Sequence, residues 1–305
     1  MAAPGSEPRY PSLTLRGREF VWAERTVVMG ILNATPDSFS GDGVLARAAG
    51  PEGWVAAAVA QGLQFLEDGA DILDVGGEST RPGSTPVSAE EEAARVIPVI
   101  EGLRRATDAP ISVDTYRAST ARAALDAGAD LVNDVWGLQM DPDLGPLVAE
   151  RQVPVVLMHN RSKPKDAAQE ERLGGRYVGV RYDDLIADVL RETDALVRHA
   201  LAAGIAPERI IVDPGIGFGK TVPQNLYLLN HLDAMRALGF PVLLGSSRKA
   251  FIGYTLDLPP EERVEGTAAT VALGIARGAH IVRVHDVRAM VRVARMTDAI
   301  LRARV

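Results

Sequence analysis

The strongest constraint on this chain is an alternation that repeats eight times. Short runs rich in Val, Ile and Leu are each followed by a longer stretch of helical periodicity. The strand-like runs are TVVMGILN (26–33), DILDVGG (71–77), APISVDT (109–115), DLVNDV (130–135), VPVVLMH (153–159), RIIVDPG (209–215), FPVLLGS (240–246) and HIVRVHD (280–286). Stretches such as EGWVAAAVAQGLQFLEDG and LIADVLRETDALVRHALAAG lie between them. Strand then helix, eight times over, predicts an α/β fold of the (β/α)8 TIM-barrel type. One open doubly wound sheet shares the alternation and is the alternative. Three helices end alike before a strand, in DGADILDV, DAGADLVNDV and ARGAHIVRV. The Gly there suits a left-handed helix C-cap.

Residues 1–25 read as a tail and a short hairpin, with its turn at Arg16-Gly17. Its cluster RGREFVWAER reads as solvated. Residues 26–305 read as a single barrel domain, because no linker or low-complexity segment interrupts them. The formal net charge of -7 argues against a nucleic-acid partner, which wants a basic face. The absence of cysteine excludes disulfides and thiolate chemistry. No apolar run approaches the roughly 20 residues that span a bilayer, so no membrane partner is expected. MAAPGSEPRYPS lacks a basic-then-apolar pattern, and a cytoplasmic location is the expectation.

In such a barrel the site is built at the C-terminal ends of the strands. Every strand here ends in polar groups: Asn33, Asp74, Asp114, Asn133 with Asp134, Met158 with His159, Asp213, Ser246 to Lys249, and Arg283 with His285 and Asp286. Asp134 or Asp286 alone reads as the N-cap of the next helix. Eight polar strand ends together do not, and a charge inside ISVDT or LVNDV needs a partner. Asp114, Asn133 and Asp213 offer acceptors and an amide that suit a flat heterocycle with adjacent N–H donors. Lys249, Arg283 and His285 offer the positive donors that suit a phosphate or diphosphate. Asn33 heads the oxygen-rich loop NATPDSFSGDG and is a candidate Mg²⁺ ligand beside phosphate. DPGIGFGK is no P-loop, because the GxxxxGK[ST] spacing is missing. His199 and His231 read as packing or surface residues, and Glu90, Glu91 and Glu92 as an acidic first helical turn.

MGILNATPDSFSGDG, DVGGESTRPGS, ISVDTYRA, LVNDVWG, VVLMHN, IIVDPGIGFGKT, GSSRKAFIG and HIVRVHDV together resemble the dihydropteroate synthase family. These are folate-pathway transferases and sulfonamide targets. The resemblance runs in order from about Val27 to Asp286. It implies condensation of 6-hydroxymethyl-7,8-dihydropterin diphosphate with p-aminobenzoate, with Mg²⁺, in a homodimer. Position by position, it implies that Asp114, Asn133, Met158, Asp213, Lys249 and Arg283 hold the pterin. It implies Asn33, Thr80, Arg283 and His285 for the diphosphate, with Asn33 also on the metal. Thr80, Arg81, Pro82, Phe218 and Ser247 are implied for p-aminobenzoate, and Lys249, Arg283 and His285 for catalysis. Loops 34–52 and 76–89 are implied to close over the site. A pterin-dependent methyltransferase and a non-catalytic pterin-binding paralogue are the alternatives; GGESTRPG and SRKAFIG argue against the first. Ile216 stands where many members carry an aromatic, and is expected to keep an apolar pocket wall. The segment 160–181 reads as a surface loop with no assigned role.

Overall fold

The structure is a computed structural model. It describes residues 11–22, 24–34, 50–79, 87–163, 166–178 and 180–304, with side chains of the first helix from 53 onward.

The chain opens with an antiparallel hairpin, β1 (Leu13–Leu15) and β2 (Arg18–Phe20), in which Leu13 pairs with Phe20. Arg16 (φ 51°) and Gly17 (φ 71°) both take left-handed backbone, the turn that matches the twist of a two-residue hairpin. Then come β3 (Val27–Asn33), α1 (Gly50–Glu67), β4 (Ile72–Gly76), α2 (Ala89–Ala106), β5 (Ile111–Asp114), α3 (Ala118–Asp126), β6 (Leu131–Asp134), α4 (Leu144–Arg151) and β7 (Val155–Met158). A small antiparallel pair follows, β8 (Ala167–Ala168) with β9 (Arg176–Tyr177). The remainder is α5 (Leu185–Ala202), β10 (Ile210–Asp213), α6 (Val222–Asn230), β11 (Leu243–Leu244), α7 (Ala250–Leu256), α8 (Val264–Ala276), β12 (Ile281–Val284) and α9 (Val287–Arg302).

Eight strands form one parallel sheet in the order β10-β7-β6-β5-β4-β3-β12-β11. A parallel bridge between Val212 and Val242 joins its two ends and closes the ring. Each strand therefore neighbours the next one in sequence, which excludes the reversal of strand order that defines a doubly wound sheet. All eight strand-like runs of the sequence are found, each trimmed by a few residues at its ends.

The period of two in a strand sorts the barrel interior into layers. Met29, Ile72, Leu131, Val156, Ile211, Leu243 and Ile281 pack with Val27 as the lower layer. Two residues on, the same strands place Ile31, Asp74, Asn133, Met158, Asp213, Gly245 and Arg283. The outer faces of the strands pack on the helices through a separate core that includes Val28, Leu32, Leu73 and Val282.

The hairpin differs from its expected solvated state. Leu13, Leu15, Phe20 and Trp22 are 5, 6, 5 and 7 % exposed and join the lower interior layer. The hairpin thus plugs the floor of the barrel. Burying side chains of this size stabilises by ~1.5–3 kcal/mol each. Arg16 pairs with Asp130 at 2.7 Å and Arg25 with Asp71 at 2.6 Å, so the charged residues tie the plug to the strand starts.

Candidate active site

Opposite the plugged floor lie the carboxyl ends of the strands. A cavity there is lined by Asn33, Asp114, Asn133, Met158, Asp213, Phe218, Ser247, Lys249, Arg283 and His285, among others. These ten predicted residues are brought together. Thr80, Arg81 and Pro82 lie outside the described residues, as does most of the two loops expected to close over the site.

The centre of the site is an arginine between two carboxylates. Arg283 donates from Nε to Asp74 Oδ2 at 2.5 Å and from Nη2 to Asp114 Oδ2 at 2.6 Å. Asn133 Nδ2 donates to the same Asp74 oxygen at 3.1 Å, which fixes the orientation of its amide. Asp74 is fully buried, and its Oδ1 has no hydrogen-bond partner among the described residues. Asp114 is pushed up to about 7 by burial; Arg283 opposes the shift and the Asp74 charge adds to it. The two carboxylates share one guanidinium, so the second ionises reluctantly.

Asp213 is also raised by burial, with Lys249 opposing. Its Oδ1 accepts from Gly215 N–H at 2.7 Å, which sets the side-chain rotamer. Burial lowers Lys249 to about 8 against the pull of Asp213. Its ammonium donates to Ile216 O and lies 4.4 Å from the centre of the Phe218 ring, within cation–π reach. Ser247 Oγ accepts from His285 N–H at 3.1 Å and lies 3.0 Å from His285 Nδ1.

Neighbouring strand residues separate by parity. Asn133 points inward, and Asp134 points to the other face, where its carboxylate accepts from Trp136 N–H at 2.8 Å and Leu138 N–H at 2.5 Å. Asp134 therefore caps the turn at 135–138 and not the next helix, whose N-cap is Asp143. Asp286 occupies the N-cap position of α9 without a capping bond. It binds Arg248 instead, at 2.8 Å from Nε.

Three expectations are corrected. Ile216 is not a pocket wall: its side chain is fully buried in the outer core, and only its carbonyl reaches Lys249. Glu92 is more than part of an acidic first turn. It is 1 % exposed and accepts from Arg117 at 2.7 Å and Thr120 at 2.9 Å. The segment 160–181 is not only a surface loop. Leu173 and Tyr177 are buried, and Leu173 to Tyr177 line the cavity. Tyr254 Oη holds Gly174 O at 3.0 Å and Arg263 Nη2 holds Leu173 O at 3.0 Å.

Sequence reasoning placed Asp74 among the strand ends but gave it no role, and overlooked Lys220, which lines the cavity at 1 % exposure. Asp74 carried a signal, its spacing of two from the inward Ile72. Nothing in GFGK marks a buried lysine.

Among the described residues, no group of three His, Cys, Asp or Glu could hold a metal. The donor set still suits Mg²⁺ shared with a diphosphate, because Mg²⁺ keeps most of its waters and needs one or two protein oxygens. Asn33 lines the cavity and carries an amide oxygen of that kind.

The chain matches the family model described as pterin binding enzyme over residues 29–285. It is 49% identical to a dihydropteroate synthase of Bacillus subtilis over 280 residues, covering 92% of this chain and 90% of that one. A solved Xanthomonas albilineans dihydropteroate synthase with 4-aminobenzoic acid superposes with a TM-score of 0.84 at 45% identity, covering 97% of this chain and 100% of that one. The same organism's enzyme in complex with 7,8-dihydropteroate gives a TM-score of 0.82 at 42% identity, over 96% and 100% of the two chains. The chain belongs to the dihydropteroate synthase family of pterin-binding enzymes.

Proposed function

We propose that this protein is a transferase of folate biosynthesis. It condenses 6-hydroxymethyl-7,8-dihydropterin diphosphate with p-aminobenzoate to give 7,8-dihydropteroate and diphosphate. The observation that carries the reading is the ring of Asp114, Asn133, Asp213, Lys249 and Arg283 around one cavity.

The chemistry follows from those groups. Ionised Asp114 and Asp213 accept N–H bonds from the pterin edge, and the held amide of Asn133 adds directional contacts. Met158 floors the slot. The electron-rich ring stabilises the methylene carbon as its bond to oxygen breaks, so the protein supplies no nucleophile. Arg283 stays charged between its carboxylates and stabilises the departing diphosphate together with His285. Asn33 would help to hold Mg²⁺, which would supply further charge neutralisation for the diphosphate. The amine of p-aminobenzoate, set by Phe218 and Ser247 with Thr80, Arg81 and Pro82, attacks the methylene carbon and then loses a proton.

The proposal includes a cytoplasmic homodimer. Thr267, Thr270, Val271, Gly274 and Ile275 of α8 are buried within the chain itself. What remains to support a dimer is the exposed Leu273, Met296 and Ile300 on α8 and α9; light scattering checks it.

The test of activity is turnover with the pterin diphosphate, labelled p-aminobenzoate and Mg²⁺. Labelled dihydropteroate that disappears with EDTA supports the synthase reading and the metal together. Pterin binding by calorimetry without any product would leave a non-catalytic pterin-binding protein.

A further inference from the structure

The mechanism above makes no use of Lys220, yet its surroundings are those of a built device. An ammonium carries three donors. Lys220 Nζ meets three acceptors: Gly215 O at 3.0 Å, Phe218 O at 3.1 Å and His159 Nδ1 at 3.0 Å. Because His159 accepts at Nδ1, its proton sits on Nε2, 2.9 Å from Glu192 Oε2. Arg161 Nε donates to the same Glu192 oxygen at 2.8 Å. Burial, with the nearby Lys220 charge, lowers His159 to about 4, so it serves as a neutral acceptor. The lysine is thus anchored on one side and grips a loop on the other.

That loop needs a grip. Gly215, Gly217 and Gly219 all take left-handed backbone, at φ 70°, 83° and 59°. Such a run loses more conformational freedom on ordering than any other residue type would. Its own bonds are few: Phe218 N–H to Gly215 O at 3.0 Å, with Gly217 N–H donating outward to Asn225 Oδ1 at 2.6 Å. Lys249 reaches the same turn from the cavity side through Ile216 O. One turn is therefore held by two lysine Nζ groups, one beneath it and one facing the substrate space. If Lys249 releases Ile216 O to engage a ligand, the turn keeps the buried lysine together with its bonds to Asp213, Asn225 and Tyr182.

We propose that Lys220 is a positioning residue: it holds the Gly215–Gly219 turn and the Phe218 ring in place, so that Lys249 can leave Ile216 O and engage substrate. The proposal rests on the reading of Lys249 and Phe218 as substrate-facing groups.

The experiment compares Lys220→Met with Lys249→Met by amide hydrogen exchange of a peptide covering 213–220, alongside steady-state kinetics. Loss of the Nζ bonds to Gly215 O and Phe218 O predicts about tenfold faster exchange of that peptide in Lys220→Met, and about a tenfold higher KM for p-aminobenzoate. Lys249→Met should leave the exchange near the wild-type rate. A lysine with a merely structural role would lower the folded fraction and leave KM unchanged. Unchanged exchange in Lys220→Met, or equal loss of protection in both variants, overturns the proposal. If Lys220→Met does not fold, Lys220→Gln keeps N–H donors on a shorter stem and is read by the same two criteria. Exchange needs no turnover, so failure of the functional reading in the wild-type protein is told apart from failure of the clamp.

Discussion

Arg283 and Asp74 are 209 residues apart in the chain and 2.5 Å apart in the barrel. The arginine cannot lose its charge, and the carboxylate has no access to water. Each makes the other tolerable there, and Asn133 takes its orientation from the same carboxylate.

Asp74→Asn removes that charge and keeps the shape. Breaking a buried pair from one side costs ~3–5 kcal/mol. The variant is expected to unfold at lower urea and to lose pterin affinity, because the Asn133 amide is no longer held. Calorimetry with a pterin and urea titration measure both; wild-type values in either would remove Asp74 from the site.

Asp114 gives a pH signature. Its carboxyl is raised to about 7 in the free protein, and it must be ionised to accept from a ligand N–H. Pterin affinity should therefore weaken as pH falls below about 7, by up to tenfold per unit. The charges that act on Asp114 are those of Arg283, Asp74, Glu92, Asp134 and Lys249. For stability the sign is opposite. A raised carboxylate pKa favours the folded state when protonated, so this stabilisation is present in acid and is lost as pH rises through 7. Asp114→Asn should bind pterin weakly at every pH and abolish the slope; a slope that survives points to another group.

Arg283→Ala should lower turnover by more than it weakens p-aminobenzoate binding. Removing one preorganised donor from a developing charge typically lowers kcat by about 10²–10³-fold. Steady-state kinetics separate the two effects, and a variant with normal kcat would break the assignment to the diphosphate.

The plug makes a prediction about stability alone. Phe20→Ala should cost about 3–5 kcal/mol, as for other buried aromatics, with KM for both substrates unchanged. Chemical denaturation and kinetics on the same sample check it. A loss below about 0.5 kcal/mol would return the hairpin to the solvent-exposed class.

The fold was legible because its signals are local. Apolar runs, helical periods and glycine caps such as Gly69, Gly128 and Gly278 mark each unit, and all three glycines take left-handed backbone. Most of the pocket was legible because it lies at strand ends: Asn133 and Asp213 each close an apolar run. What stayed hidden depends on distant chain. Lys220 looks like a solvated lysine until His159, 61 residues away, closes on it. Leu173 looks like loop filler until Arg263, 90 residues on, takes its carbonyl. The floor plug was misread because its apolar residues alternate with charges, as in an exposed hairpin; the lower interior layer that accepts them comes from seven other segments.

The closed ring also has a meaning in time. β3 has β4 on one side and β12 on the other, and Thr26 is bonded to Asp298 of the last helix, 272 residues away, through both its N–H and its hydroxyl at 2.8 Å. A ribosome making this chain exposes the first barrel strand long before its second neighbour exists. Contacts of such long range form late in folding. Arg283 lies on that final strand, so during synthesis the acidic half of the pocket waits for its cation. Completion of the barrel and completion of the site are one event.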